Sequence, residues 1–319
     1  MLRLFPERIF PRLFQPRCRM FSLFEFVRSE LFAPDLVHMK ALKNIFIFTH
    51  DVSHLPWDFS VVLSAVVLRT AVYVPFYLYS EQNYSKVLYV KMDCAKNKPV
   101  LLEKVHQVAA ERKLNEREIK QLTEHWARKV FLQTCERNHC HPMKSMAAAM
   151  VQLPLWVSFS LALRNLCSTG LLHASDCFTM LDATCSCLSV PCISWGIPLF
   201  LLLISTANAE LMILRQPHNV APINVKFLNK IHPFTLARIG SCLGNLWIFT
   251  LAFMVPKAVV VYWLTSAAHQ LVLHIVSMHP RLRARLGIWK RPHEGDHPYK
   301  ALLESVFIHY PFLRKTKAD

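Results

Sequence analysis

Glycine is scarce in this chain, with six residues in 319. Loops that cradle phosphates or dinucleotides depend on glycines where backbone must approach the ligand. No Walker or G-x-G-x-x-G pattern occurs, so nucleotide-driven chemistry has no foothold in the sequence. Charge is scarce as well: 18% of residues are charged, against about 25% in soluble domains. Acids are scarcer than bases, 21 against 37, which gives a net charge of +16. No RNA- or DNA-binding motif accompanies that charge. On so apolar a chain it reads as loops held at an anionic membrane surface, with no nucleic-acid partner. No repeat of 20–50 residues, paired-carboxylate site, Ser/His/Asp arrangement or H-E-x-x-H signature is present. The chain is therefore read as a non-enzyme with no cofactor, no metal and no small-molecule substrate.

What the chain does have is hydrophobic sequence: 53% of residues are hydrophobic and the mean hydropathy is +0.25. The stretch Trp57–Tyr79 is long enough to cross a bilayer, which takes roughly 20 apolar residues. Four more apolar segments follow, at Met143–Leu163, Trp195–Leu214, Thr235–Met254 and Lys257–Val276. Pro142 opens the second, where a missing N–H is harmless. Pro256 makes a tight turn between the last two. The pattern predicts an all-α polytopic membrane protein with five transmembrane helices.

Loop charge orients them. Residues 81–142 hold twelve Lys/Arg and residues 278–319 hold nine, whereas residues 165–194 hold none. The hairpin, the 215–234 loop and the tail then share one side, and the N-terminus lies on the other. Trp57 and Trp195 fall at the outer interface, and Tyr77 and Tyr79 at the inner one.

Polar groups inside these spans are few and uneven in depth. Arg69 is central in the first span, where a cation costs about 2.5–3.5 kcal/mol on insertion scales. Gln152 and Asn245 are near mid-span. Asn208, Glu210, His269, Gln270 and His274 lie in the inner halves. This distribution predicts a polar groove open toward the basic side and closed outside, with Arg69, Gln152, Asn208, Asn245 and Gln270 as candidate groove residues. Each has a plainer alternative. An isolated Gln or Asn in a span often makes only an interhelical hydrogen bond. Arg69 would be structural if it formed an ion pair, for example with Glu210. Gly240-x-x-x-Gly244 is expected to let the fourth helix pack closely.

Residues 81–137 read as a soluble antiparallel helical hairpin. Asn97-Lys98-Pro99 interrupts its first arm, and Asn115 with Glu118 forms a capping box at the start of its second. Its role is open between a contact surface and a solvated spacer. Residues 1–30 carry Arg3, Arg8, Arg12, Arg17, Arg19 and Arg28 between apolar residues. That fits a mitochondrial targeting segment better than a secretory signal. Residues 31–56 read as an amphipathic segment lying on the membrane before the first span. Of ten cysteines, Cys135 and Cys140 cluster with His139 and His141, in no common zinc spacing. Cys177, Cys185, Cys187 and Cys192 lie in or beside the outer loop. Free thiols are the default there, with a disulfide or a soft metal as alternatives.

Two stretches carry a resemblance. Gln152-Leu153-Pro154-Leu155-Trp156 and Pro256-Lys257-Ala258-Val259-Val260-Val261-Tyr262-Trp263 resemble signatures of the YidC/Oxa/Alb membrane-insertase family. Arg69 is similar to that family's groove arginine, and the basic hairpin to its hairpin, over residues 57–277. His139-Cys140-His141-Pro142, Ala162-Leu163-Arg164-Asn165-Leu166 and His297-Pro298-Tyr299-Lys300 resemble the mitochondrial cytochrome c oxidase assembly branch. The resemblance implies a multi-pass inner-membrane insertase with its hairpin and C-terminus in the matrix. It also implies export of the C-terminal tail of oxidase subunit two, with that subunit, its assembly chaperones and membrane lipid as partners. The short basic tail, 278–319, favours post-translational action. The alternatives are a general inner-membrane insertase, a non-translocating assembly scaffold and, with less support, a solute transporter, since no repeated halves are present.

Overall fold

The computed structural model describes residues 36–168, 191–216, 223–225, 228–231 and 233–310. The expected targeting segment at 1–30 lies outside the described residues, as do Cys177, Cys185, Cys187 and the side chain of Cys192.

The first helix, α1 (Val37–Ser53), leads through a left-handed His54 (φ 52°) into α2 (Trp57–Leu68). A five-residue π turn, Arg69–Tyr73, joins α2 to α3 (Val74–Lys96) without a break. In that turn the Val74 N–H reaches back five residues to the Arg69 carbonyl. Pro75 offers no N–H of its own, so the ladder must be reset here. The hairpin comprises α4 (Lys98–Arg112) and α5 (Glu116–Arg137). Asn97 separates α3 from α4, with Pro99 in the first turn of α4 where it is tolerated. The capping box forms as read: the Asn115 N–H donates to the Glu118 carboxylate at 2.9 Å, and the Asn115 side chain accepts from the Glu116 N–H at 2.8 Å.

A 3₁₀ turn at Pro142–Met146 opens α6 (Ala147–Ser168), followed by α7 (Pro191–Leu214). Then come α8 (Pro233–Ala252), α9 (Lys257–Ser277), the short α10 (Pro280–Arg285) and α11 (Pro298–His309). Apart from an antiparallel pair, β1 (Ile223–Val225) with β2 (Leu228–Ile231), the described elements are helical. Four helical stretches are long and apolar enough to cross a membrane: Phe59–Lys96, Pro142–Cys167, Trp195–Leu214 and Lys257–Ser277. The remaining expected span forms α8, which carries Arg238 and Asn245 and is not in that set.

Helix α9 is the hub, packed against α2, α6 and α7, while α8 packs against α7. The apolar core fills the end of the bundle away from the basic loops. It includes Val61 and Ala65 of α2, Phe159 and Leu163 of α6, Leu201 of α7 and Val260 and Tyr262 of α9. Helix α1 does more than lie on a surface. Its Met39 and Phe46 are buried in this core, and the Phe46 ring meets Phe159 edge-on with centroids 6.2 Å apart. Among the described residues the glycine pair on α8 does not mediate close packing, because a Cβ at Gly240 or Gly244 would meet nothing within 4 Å.

Candidate functional site

The π turn sets Arg69 facing α9, where its side chain is buried at 3% exposure. Its Nη1 points at the Ser266 carbonyl at 3.5 Å, and its guanidinium carbon lies 5.8 Å from the centre of the Tyr73 ring. Among the described residues Arg69 has no ion-pair partner, and its Nε has no hydrogen-bond acceptor. Glu210, the carboxylate best placed in sequence to neutralise it, is turned to α8. It pairs there with Arg238 through Nε at 3.1 Å and through Nη2.

Further along, the polar residues of α9 meet three other helices. The Ala267 carbonyl accepts from Asn208 Nδ2 at 2.8 Å. His269 Nε2 contacts Thr70 Oγ1 at 3.1 Å, and Gln270 Oε1 accepts from Gln152 Nε2 at 2.8 Å. Tyr77 and Ser277 share a hydroxyl–hydroxyl bond of 2.9 Å. Four of the five residues singled out in the sequence, Arg69, Gln152, Asn208 and Gln270, thus converge on one face system around α9. Asn245 does not. Its amide reaches Thr206 of α7 at 3.4 Å, on the side of α7 that faces α8.

Next to this cluster is a cavity of about 270 Å³. Gln152 and Gln270 line it, together with Tyr73, Tyr77 and Tyr84 of one helix and the small residues Ser145, Ala148 and Ala149 of another. From Tyr73 to Tyr84 it follows the first span for about 16 Å at 1.5 Å per residue. Arg69 sits one turn beyond its deep end, behind Tyr73.

At the other end, the cavity wall is ionic. Glu81 accepts from Arg291 at 2.8 and 3.1 Å and from Arg283 at 2.7 Å, with Arg215 at 3.5 Å. Glu294 accepts from Arg215 Nε at 3.1 Å. All five side chains are buried. Burial alone would depress the Arg291 pKa, but Glu81 and Glu294 beside it raise it above the usual guanidinium value. The tail also caps α7: the Arg215 carbonyl accepts from Arg291 Nη1 at 3.2 Å and from His293 Nε2 at 2.9 Å. Burial lowers the His293 pKa. The segment expected as a short basic tail is therefore part of the bundle from 280 to 310. None of these five residues was singled out by sequence reasoning. The one local signal for the tail was His297-Pro298-Tyr299-Lys300, which begins α11.

The Cys/His cluster before α6 is structural. His141 and Asn83 exchange two hydrogen bonds, of 2.7 and 3.1 Å, and His141 Nδ1 accepts from the Met143 N–H at 3.1 Å. Cys135 is fully buried, and burial together with neighbouring Cys140 pushes its thiol up to about 12. Among the described residues no group of three or more His, Cys, Asp or Glu is placed to hold a metal.

Against known proteins, no family model matches the chain. The chain is similar to the mitochondrial cytochrome c oxidase assembly protein COX18 of Pongo abelii and of Homo sapiens. Each is 26% identical over 270 residues, which is 82% of this chain and 77% of the relative. It is also similar to COX18 of Saccharomyces cerevisiae, 21% identical over 269 residues, 74% of this chain and 85% of the relative. The resemblance carried by short motifs thus extends over most of the chain and points to the oxidase-assembly branch.

Proposed function

We propose that this protein is a mitochondrial inner-membrane factor for cytochrome c oxidase assembly. Within that role it is an insertase that moves the C-terminal tail of oxidase subunit two out of the matrix. The assembly role rests on the similarity to oxidase assembly proteins over four-fifths of the chain. The insertase mechanism rests above all on one observation: Arg69 is buried in a span with no carboxylate beside it among the described residues. An uncompensated cation at that depth is costly and has no packing use, so it is best understood as a fixed field for a charge that arrives.

In this reading the tail enters the 270 Å³ cavity from the basic side. Gln152 and Gln270 exchange their mutual hydrogen bond for bonds to the peptide. Asn208, whose buried carbonyl oxygen has no partner among the described residues, stands behind this path, bonded to α9. The Arg69 charge, buried away from water and with no carboxylate beside it among the described residues, draws the tail's acidic and polar groups to mid-membrane. That lowers the cost of carrying them partway, after which the subunit's apolar segment passes into lipid. Asn245, bonded to α7 on its α8 side, supports the α7–α8 contact and stands apart from this path. The basic loops and tail face the matrix, as the loop-charge rule has it. The scaffold reading draws on the Gln152–Gln270 bond, which satisfies both amides without a substrate.

A photo-crosslinking side chain at Gln270 tests the reading, with the same probe at Val259 in the apolar half as control. Newly made subunit two should crosslink through its tail at 270 and not at 259. Equal crosslinking at both positions, or none at 270 while export proceeds, would contradict a one-sided cavity path.

A further inference from the structure

The tail helix α11 lies across the end of the bundle. At its start the Tyr299 hydroxyl donates to the Ile275 carbonyl of α9 at 3.1 Å. Its body packs on α7. Just past its end, the Arg238 guanidinium of α8 lies over the Tyr310 ring, 5.2 Å from its centre. Helix α7 packs against both α9 and α8. Three neighbouring helices whose axes lie 8–10 Å apart place the outer two about 16–20 Å from each other. A 12-residue helix is about 18 Å long. Helix α11 therefore bridges from one outer helix to the other, across the end of the bundle.

One side of α11 is fastened to the bundle through buried Pro298 and Ser305. The side turned away from it is open and apolar at Tyr299, 42% exposed, and Leu303, 54% exposed. Tyr299, Leu303 and Phe307 recur every four residues and form one stripe, with Lys300 and Glu304 on the next. The stripe is continuous with the outward face of α9, where Val272, Ile275 and Val276 are exposed, since Tyr299 is bonded to Ile275 itself. That face of α9 belongs to a helix apolar and long enough to span a bilayer. Whatever solvates it also solvates the stripe.

We propose that α11 is an interfacial membrane helix whose occupant is the lipid bilayer. Tyr299 and Leu303 enter the boundary between headgroups and acyl chains, half-buried Phe307 continues their line, and Lys300 faces the anionic headgroups. The Glu81 network holds the strap that delivers α11, through Arg283 and Arg291. The helix is thus fixed at a set depth beneath α7, α8 and α9. This placement does not depend on what the cavity carries.

The test uses the full chain in proteoliposomes with an environment-sensitive fluorescent amino acid at Leu303 or at Glu304. Two quenchers are compared, brominated lipid and aqueous iodide. The expected result is a blue-shifted signal at 303 that brominated lipid quenches, and a signal at 304 that iodide quenches. Equal iodide quenching at both positions overturns the proposal, because the stripe then faces water. Protection of 303 from both quenchers also overturns it, because protein then covers the face. The probe sits on an exposed position. If the 303 protein nonetheless fails to fold, the same comparison at Phe307, one turn further along the stripe, decides.

Discussion

Glu81 is the residue on which the basic end of the molecule depends. It sits among three guanidinium groups with 6% of its surface exposed, and one further carboxylate, Glu294, shares the load. Removing the central anion leaves buried cations uncompensated, a change that typically costs about 3–5 kcal/mol. Glu81→Gln is therefore expected to lower the thermal midpoint in detergent sharply and to release the tail to proteolysis. Lys290→Ala, which breaks an ion pair on the open surface, is expected to leave both unchanged. A wild-type melting curve for Glu81→Gln would mean that the network holds nothing together.

Elements divide by how local their causes are. The capping box at Asn115, the break at Asn97–Pro99 and the turn at Pro256 are set by residues a few positions apart, and the sequence displayed them. The π turn has a local cause in Pro75, yet it stayed hidden because the apolar pattern runs through it unchanged. The Glu81 network was not legible at all. Its partners lie 134, 202 and 210 positions away, and nothing local distinguishes those arginines from the other basic residues of loop and tail. The same limit explains Asn245. Its depth suggested the groove, but depth says nothing of which way a side chain points around a helix. It explains Gly240 and Gly244 too, whose spacing suggested close packing while neither meets a neighbour among the described residues. Alanine favours a helix interior over glycine by about 0.8–1.0 kcal/mol. Gly240→Ala and Gly244→Ala are thus expected to melt at or above the wild-type temperature and to leave oxidase assembly intact. A loss of several degrees at either position would show that a partner helix packs there.

Across the described residues the asymmetry lies along the axis of the bundle. One end is an apolar core of α1, α2, α6, α7 and α9, closed by Phe46 against Phe159. The other holds the cavity, its tyrosines and glutamines, and an ionic wall built by the tail. Arg69 stands where the two meet. A bundle meant only to hold a partner has no use for a cation at that level, whereas one that draws a polar segment to mid-membrane does. The deciding measurement is made in mitochondria lacking the native protein, supplied with wild type, Arg69→Ala or Arg69→Lys at equal abundance. The readout is whether the subunit-two tail becomes accessible to protease from the intermembrane side. The account predicts export by wild type, partial export by Arg69→Lys and none by Arg69→Ala. Normal export by Arg69→Ala would contradict it and leave Arg69 a structural residue.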